Sequence, residues 1–261
     1  MANSSITILG CGASTRVPTL KCVLSDNDCK VCKNIAENKK NKRDTTSCLV
    51  YIDDLKKNFL LDFPTTISEK LTPLNLKEIP TLILSHEHPD AYSGLIYVYP
   101  AIPKNTIISI YTTNAAKEVL KRDFKYMFEP KIYDSSIGHF ELKTVEDFNY
   151  KYSENIKLIE VQHGKTKCIG FKTKKLAYFS DVSSPDALMN KNLENLDTLI
   201  VDCYDLEIKK FGHLNKKGID EVAKNLSPKR IILTGLSHNM DYYDENKIHE
   251  YAYDSMKIDF K

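Results

Sequence analysis

"IPTLILSHEHPDAYSGL", residues 79–95, is the stretch on which the reading of this chain turns. An apolar run through Leu84 gives way to His86 and His88 at alternating positions, and Asp90 follows two residues later. On a continuing strand, alternate side chains share a face, so both imidazoles would point the same way. Imidazole nitrogens and carboxylates are the donor set for Zn, Fe, Mn or Ni.

The same pattern recurs elsewhere. An apolar, strand-like run stops at Asp62 in "LLD", at His163 in "VQH", at Asp181 in "YFSD" and at His238 in "LTGLSH". Functional side chains gather where strands end and loops begin. Several strand ends converging in one cleft let a rigid sheet assemble a metal site. Any one of these histidines is ordinary by itself; the series is not.

The chain has 261 residues, 42% apolar and 28% charged, which suits a soluble globular protein. No Pro/Gly/Ser-rich linker divides it, so a single domain over 1–261 is expected. Its 37 basic and 35 acidic residues give a net charge of +2, which argues against a nucleic-acid partner. The opening "MANSSITILGCG" lacks a basic n-region and a long apolar core, and no run has the ~18 apolar residues of a membrane span, so a cytoplasmic location without a membrane partner is expected. Monomer and homodimer both remain open.

Strand-like runs over 4–11, 47–53, 58–63, 81–86, 107–113, 156–163, 168–173, 175–181, 197–204 and 230–238 alternate with helix-like segments at 65–71, 89–97, 114–124, 184–193, 215–226 and 244–256. The class is α/β. The polar, basic segment 33–44, "KNIAENKKNKRD", is expected to lie in solvent.

In order, "LLD", "SHEHPDA…GL", "VQHG", "YFSDV" and "GHL" resemble the metallo-β-lactamase-fold hydrolases, over residues 4 to about 240. "LGCGASTRVP…C…CKVC" and the late "LSH" resemble, within them, the branch holding the cyclic-phosphate phosphodiesterase of bacterial phosphonate breakdown. The resemblance implies an αββα four-layer sandwich of two mixed β-sheets with helices on the outer faces. It implies that His86, His88 and His163 hold one metal and that Asp181 bridges to a second on Asp90. It also makes Asp62 an orienting residue behind the ligands, and His213, with Asp181 and Asp90, the catalytic set. The family's second ion also takes histidines at the places of Ala91 and Gly235; both are absent here. One tight Zn²⁺ or Mn²⁺ with a weak second ion is therefore expected.

Seven cysteines, an odd number, without a secretion signal point to reduced thiols or metal ligands. Cys11, Cys48, Cys168 and Cys203 lie in apolar runs and read as buried structural thiols. Cys22, Cys29 and Cys32 cluster. On spacing alone His238 could serve the active site, but the resemblance pairs it with these cysteines. A Cys₃His set is a closed tetrahedral zinc site; the rival, a redox Cys-x-x-Cys, wants the motif to open a helix after a strand, whereas "SDNDCKVCK" reads as a polar loop.

A metal held by imidazoles and a carboxylate lowers the pKa of bound water toward ~7, supplying an activated hydroxide. With His213 as general acid, the expected function is a metal-dependent phosphodiesterase acting on small cyclic phosphates or nucleotides. Arg16, Lys165 and the "GASTR" backbone are weaker candidates for holding phosphate. A thioester or lactone hydrolase on the same fold, and a non-catalytic metal- or ligand-binding relative, are the alternatives. His139 and His249 carry no motif.

Overall fold

A computed structural model describes residues 3–25, 28–129, 138–152, 156–207 and 209–260. Thirteen strands form two sheets. The first contains β1 (Ser4–Gly10), β2 (Ser47–Ile52), β3 (Lys57–Leu61), β4 (Thr81–Ile83), β5 (Ile107–Tyr111), β6 (His139–Lys143) and β13 (Met256–Phe260), in the order β13-β1-β2-β3-β4-β5-β6. The second contains β7 (Ile156–His163), β8 (Thr166–Thr173), β9 (Leu176–Phe179), β10 (Thr198–Asp202), β11 (Ile231–Thr234) and β12 (Glu250–Tyr251), in the order β12-β11-β10-β9-β8-β7. Both are mixed: β3 to β6 run parallel while β13, β1, β2 and β3 alternate, and β9 to β12 run parallel while β7, β8 and β9 alternate.

Burial explains the layers. Ile6, Val50, Phe59 and Ile83 of the first sheet share one apolar cluster with Leu158, Phe171, Tyr178 and Ile200 of the second, so the sheets pack face to face. A second cluster joins the outer face of the first sheet to Ile67, Leu95 and Leu120 on helices. A third joins the outer face of the other sheet to Ile219, Val222 and Leu226. That is the expected αββα sandwich. Strand β10, in the middle of its sheet, is buried at every residue, whereas edge strand β7 alternates buried Leu158, Val161 and His163 with exposed Lys157, Glu160 and Gln162.

The helix Asn114–Asp123 starts where Thr113 caps Ala116 N, and Lys216–Leu226 starts where Asn215 caps Gly218 N. The expected helix at 184–193 is two short 3₁₀ turns, Pro185–Leu188 and Lys191–Leu193. The expected helix at 244–256 does not form: Glu250–Tyr251 pairs with β11 and Met256–Phe260 with β1. Here the period-two burial of "MKIDF" prevails over local helical composition, because only a strand presents Met256 and Ile258 together to the core. Strand β6 and the helix Val145–Tyr152 were not anticipated. Among the described residues, no helix is long and apolar enough to cross a membrane.

In the segment 33–44, Lys33, Asn34, Ala36, Glu37, Lys39 and Lys42 are exposed as expected, but two residues are not. Asn41 and Arg43 are buried, at 0% and 1% exposure. Arg43 donates to the carbonyls of Ser237 (2.9 Å) and Met240 (2.6 Å) and to Asn41 Oδ1 (3.0 Å), and Asn41 Nδ2 donates to Asp241 (2.7 Å). A buried guanidinium needs such partners, and the two carbonyls lie 194 and 197 residues away in the sequence.

Candidate functional site

Asp62, Ser85 to Asp90, His163, Asp181, Asp202 and Gly235 all sit at or just beyond the C-terminal ends of strands. These ends surround a cleft of about 530 Å³, lined by His86, His88, Asp90, His163, Asp181, His213 and Gly235 among others. The strand β4 stops at Ile83, so the two histidines stand on a loop rather than on a continuing strand. They converge nevertheless.

The ring centroids of His86, His88 and His163 lie 4.5, 5.1 and 5.2 Å apart pairwise. Hydrogen bonds fix which nitrogens face inward. Ser85 Oγ donates to Asp62 Oδ2 (2.8 Å) and lies 2.8 Å from His86 Nδ1. A hydroxyl whose hydrogen goes to Asp62 accepts from His86, so Nδ1 carries that ring's hydrogen and Nε2 presents a lone pair. His163 Nδ1 lies 2.8 Å from the carbonyl of Gly212, which can only accept, so Nδ1 donates and leaves Nε2 as the nitrogen free to bind a metal. His86 Nε2 faces His88 Nδ1 at 2.9 Å. Burial drives the His86 pKa down to about 4, keeping the ring neutral as a ligand must be.

Asp62 acts through Ser85 rather than by touching a histidine. Its Oδ1 accepts from Ser85 N at 2.7 Å, and its own backbone has φ +60, a left-handed conformation that Asp tolerates better than most residues. Asp181 is pulled two ways: burial raises its pKa, while His86, His163 and His213 together hold it below the usual carboxylate range. Asp90 is raised by burial and by the charge of Asp181, a pair of carboxylates that a shared cation would stabilise.

Asp202, the last residue of β10, escaped the sequence reading. It is fully buried, and its Oδ2 lies 3.0 Å from His213 Nδ1. Burial lowers the His213 pKa, but the charge and hydrogen bond of Asp202 outweigh it and bring the value up to about 9. Burial pushes Asp202 itself up only to about 6, so between these values the proton sits on the imidazole. His213 also comes within ligand reach of His163 and Asp181, yet its positive charge sets it apart from the neutral ring of His86. The signal was available: "LIVD" repeats the pattern of an apolar strand ending in Asp.

Cys168 is a buried thiol, as expected. It lies buried beneath the cleft within ligand reach of His86 and Asp181, with burial holding its thiol well above the usual range and so protonated. Lys165, Ala13 and Ser14 line the cleft; Arg16 instead donates to Thr65 Oγ1. His139 lies on β6, and His249 lies 3.7 Å from Asp220.

Neither place where the resemblance implies a further histidine has room for one. Ala91 is 3% exposed, packed in the apolar cluster of Phe63, Leu84 and Leu95. Gly235 has φ +70, and a Cβ built on it would stand 2.5 Å from Asp202 Oδ1.

Residues 58–235, more than half of the chain, match the family model of a beta-lactamase superfamily domain. The chain belongs to the beta-lactamase superfamily. It is similar in structure to a diphosphatase of the PhnP family, with 26% identity and a TM-score of 0.80 over 99% of this chain and 98% of that one. Zn²⁺-bound PqqB from Methylobacterium extorquens shares the fold at 14% identity and a TM-score of 0.74, covering 98% of this chain and all of that one. The short form of human tRNase Z shares it at 18% identity and a TM-score of 0.64, covering 97% and 98%. No curated protein matches the chain by sequence.

A second cluster lies at the N-terminal loop. One donor atom from each of Cys22, Cys29, Cys32 and His238 falls within 4.8 Å of every other. His238 Nδ1 lies 3.5 Å from Cys22 Sγ and 3.2 Å from Cys29 Sγ, close to the ~3.5 Å edge expected of a tetrahedral zinc site. Cys29 caps a short helix, Lys30–Lys33, which was expected to be loop; residues 26 and 27 of that loop lie outside the described residues. The preceding element is the helix Leu20–Leu24, not a strand, so the redox context is missing. The His238 turn is gripped on one side by Arg43 and on the other by Asp205, whose Oδ2 accepts from Ser237 Oγ (3.1 Å) and Asn239 Nδ2 (2.9 Å).

Proposed function

We propose that this protein is a metal-dependent phosphodiesterase acting on small phosphate esters, cyclic phosphates or nucleotides among them. The observation that carries the reading is the Asp202–His213 pair, a protonated imidazole held beside the converging rings of His86, His88 and His163. An alkoxide leaving from phosphorus needs a proton; a thiolate leaving from a thioester does not, which favours phosphoryl over thioester substrates. Similarity to a diphosphatase at 26% identity supports the same class.

His86, His88, His163 and Asp181 would hold one ion tightly, Zn²⁺ or Mn²⁺, with Asp90 and Asp181 offering a weaker place for another; Cys22, Cys29, Cys32 and His238 would hold a structural zinc. When bound, the active-site ion supplies Lewis acidity, acidifying water and offsetting charge on phosphoryl oxygens. Asp62 and Ser85 keep His86 in its ligand tautomer, and Gly212 does so for His163. His213, anchored through Nδ1 to Asp202, gives its Nε2 proton to the leaving oxygen.

His213→Ala tests this. It should leave metal content and folding intact and lower kcat by ~10²–10⁴-fold for alkyl diesters, with a smaller loss for p-nitrophenyl esters, whose leaving group hardly needs a proton. Equal wild-type rates on both kinds of ester would withdraw the role, and faster hydrolysis of thioesters than of any phosphodiester would overturn the class.

A further inference from the structure

The mouth of the cleft carries one large apolar side chain that is mostly uncovered. Phe211 is 77% exposed, lines the cleft, and stands two residues before His213. A single exposed aromatic is ordinary on a protein surface, but three features set this one apart. Its ring is seated: Gly164 has φ +57, and a Cβ there would come 3.0 Å from Phe211 Cε1, so the bare turn lets the ring rest against it. Cations flank it, since Lys165 and Lys210 line the same cleft and Lys210 Nζ is held 4.2 Å over the Tyr204 ring. The lining beside it is also tied down, with Thr166 Oγ1 donating to Glu87 Oε1.

An apolar platform and two cations match the two parts of one ligand chemistry: a planar ring and a phosphate. The position of the platform says which end of the ligand it reads. Phe211 belongs to the loop that carries the proton donor for the leaving oxygen, so it lies beside the leaving portion. We infer that Phe211 is a specificity-determining residue that stacks on a planar ring of the leaving portion, so that the cleft selects nucleotide-type phosphate esters over bare sugar phosphates. This rests on the phosphodiesterase reading of the site.

Stacking of a base on an aromatic side chain tolerates any base and strengthens binding by about fivefold or more. Calorimetric titration of the metal-loaded protein with adenosine monophosphate and with ribose phosphate reads it without turnover. The wild type should bind the nucleotide at least about fivefold more tightly. Phe211→Ala should abolish the preference by weakening the nucleotide alone, Phe211→Trp should retain it, and Lys165→Ala should weaken both ligands alike. Equal affinities in the wild type, a preference that survives Phe211→Ala, or no measurable binding of either ligand would overturn the inference. Hydrolysis of bis(p-nitrophenyl) phosphate by the wild type is scored separately. Its absence sinks the phosphodiesterase reading, while the titrations still decide the role of Phe211.

Discussion

Replacing Asp202 by Asn removes a buried charge and keeps the shape of the side chain, whose oxygen can still accept from Val182 N, His213 Nδ1 and Leu214 N. With Asp202 present the His213 pKa stands at about 9. Without that charge, burial pulls it back toward the ordinary 6.5 against the remaining charge of Asp181, a change worth about 3 kcal/mol. At pH 8 the protonated fraction would then fall from about nine-tenths to about one in thirty, an activity loss of about thirtyfold from protonation alone, whereas at pH 6 the loss is under about twofold. Thermal stability is the poorer readout, because two opposed effects cancel. The raised His213 pKa contributes stability that is full below 6.5 and is lost as pH rises through about 9. Asp202, pushed up to about 6, withdraws stability as pH rises from the ordinary carboxylate range through that value, and Asn removes this cost together with the benefit. The assay is therefore kcat/KM against pH for a diester with an alkoxide leaving group, with NMR titration of the His213 ring as a check independent of turnover. A basic limb that stays near 9 in Asp202→Asn, or a loss equal at pH 6 and pH 8, would refute the account.

Three further outcomes are expected. Gly235→His should lower the melting temperature and add no tightly bound second ion, since the φ of +70 and the nearness of Asp202 Oδ1 both oppose a side chain there; a full extra equivalent by metal analysis at unchanged stability would contradict this. Cys29→Ser should lose about one equivalent of zinc and melt lower, and unchanged zinc content would reject the Cys₃His assignment. Arg43→Met leaves the Ser237 and Met240 carbonyls without this donor, at about 1–3 kcal/mol for each one left unsatisfied; it should melt lower and release zinc faster to a chelator, and wild-type values for both would show that Arg43 does not hold the His238 turn.

The cleft was legible because its donors end apolar strands, and an apolar run stopping at His or Asp is a local signal. Asp202 carries the same signal in "LIVD", but its meaning lies in a partner eleven residues on and in complete burial, neither of which is local. Arg43 was misread for the opposite reason. A lysine- and arginine-rich run has the composition of a solvated loop, and only acceptors on the His238 turn draw this one side chain inward. The C-terminal strands failed similarly, since β13 exists by pairing with β1, at the far end of the chain. Periodicity and strand ends transmit through sequence; the partner of a buried charge does not.

If the resemblance is followed, the two places without a histidine form a rebuilt half of the cleft rather than vacancies. The half that holds the histidines has its orienting bonds: Asp62 and Ser85 behind His86, and Gly212 behind His163. On the other half, Ala91 has joined the outer apolar core, and Gly235 leaves its space to a carboxylate oxygen. That carboxylate is the one that keeps a proton on His213. In the proposed reading, the positive charge that a second firmly held ion would bring to the phosphate comes instead from an imidazolium, which also delivers the proton that the leaving oxygen needs. Such a charge can be titrated away, as an ion's cannot. A cleft that relies on it must lose activity as pH approaches 9, and the acidity of that limb must follow Asp202 rather than the identity of the metal.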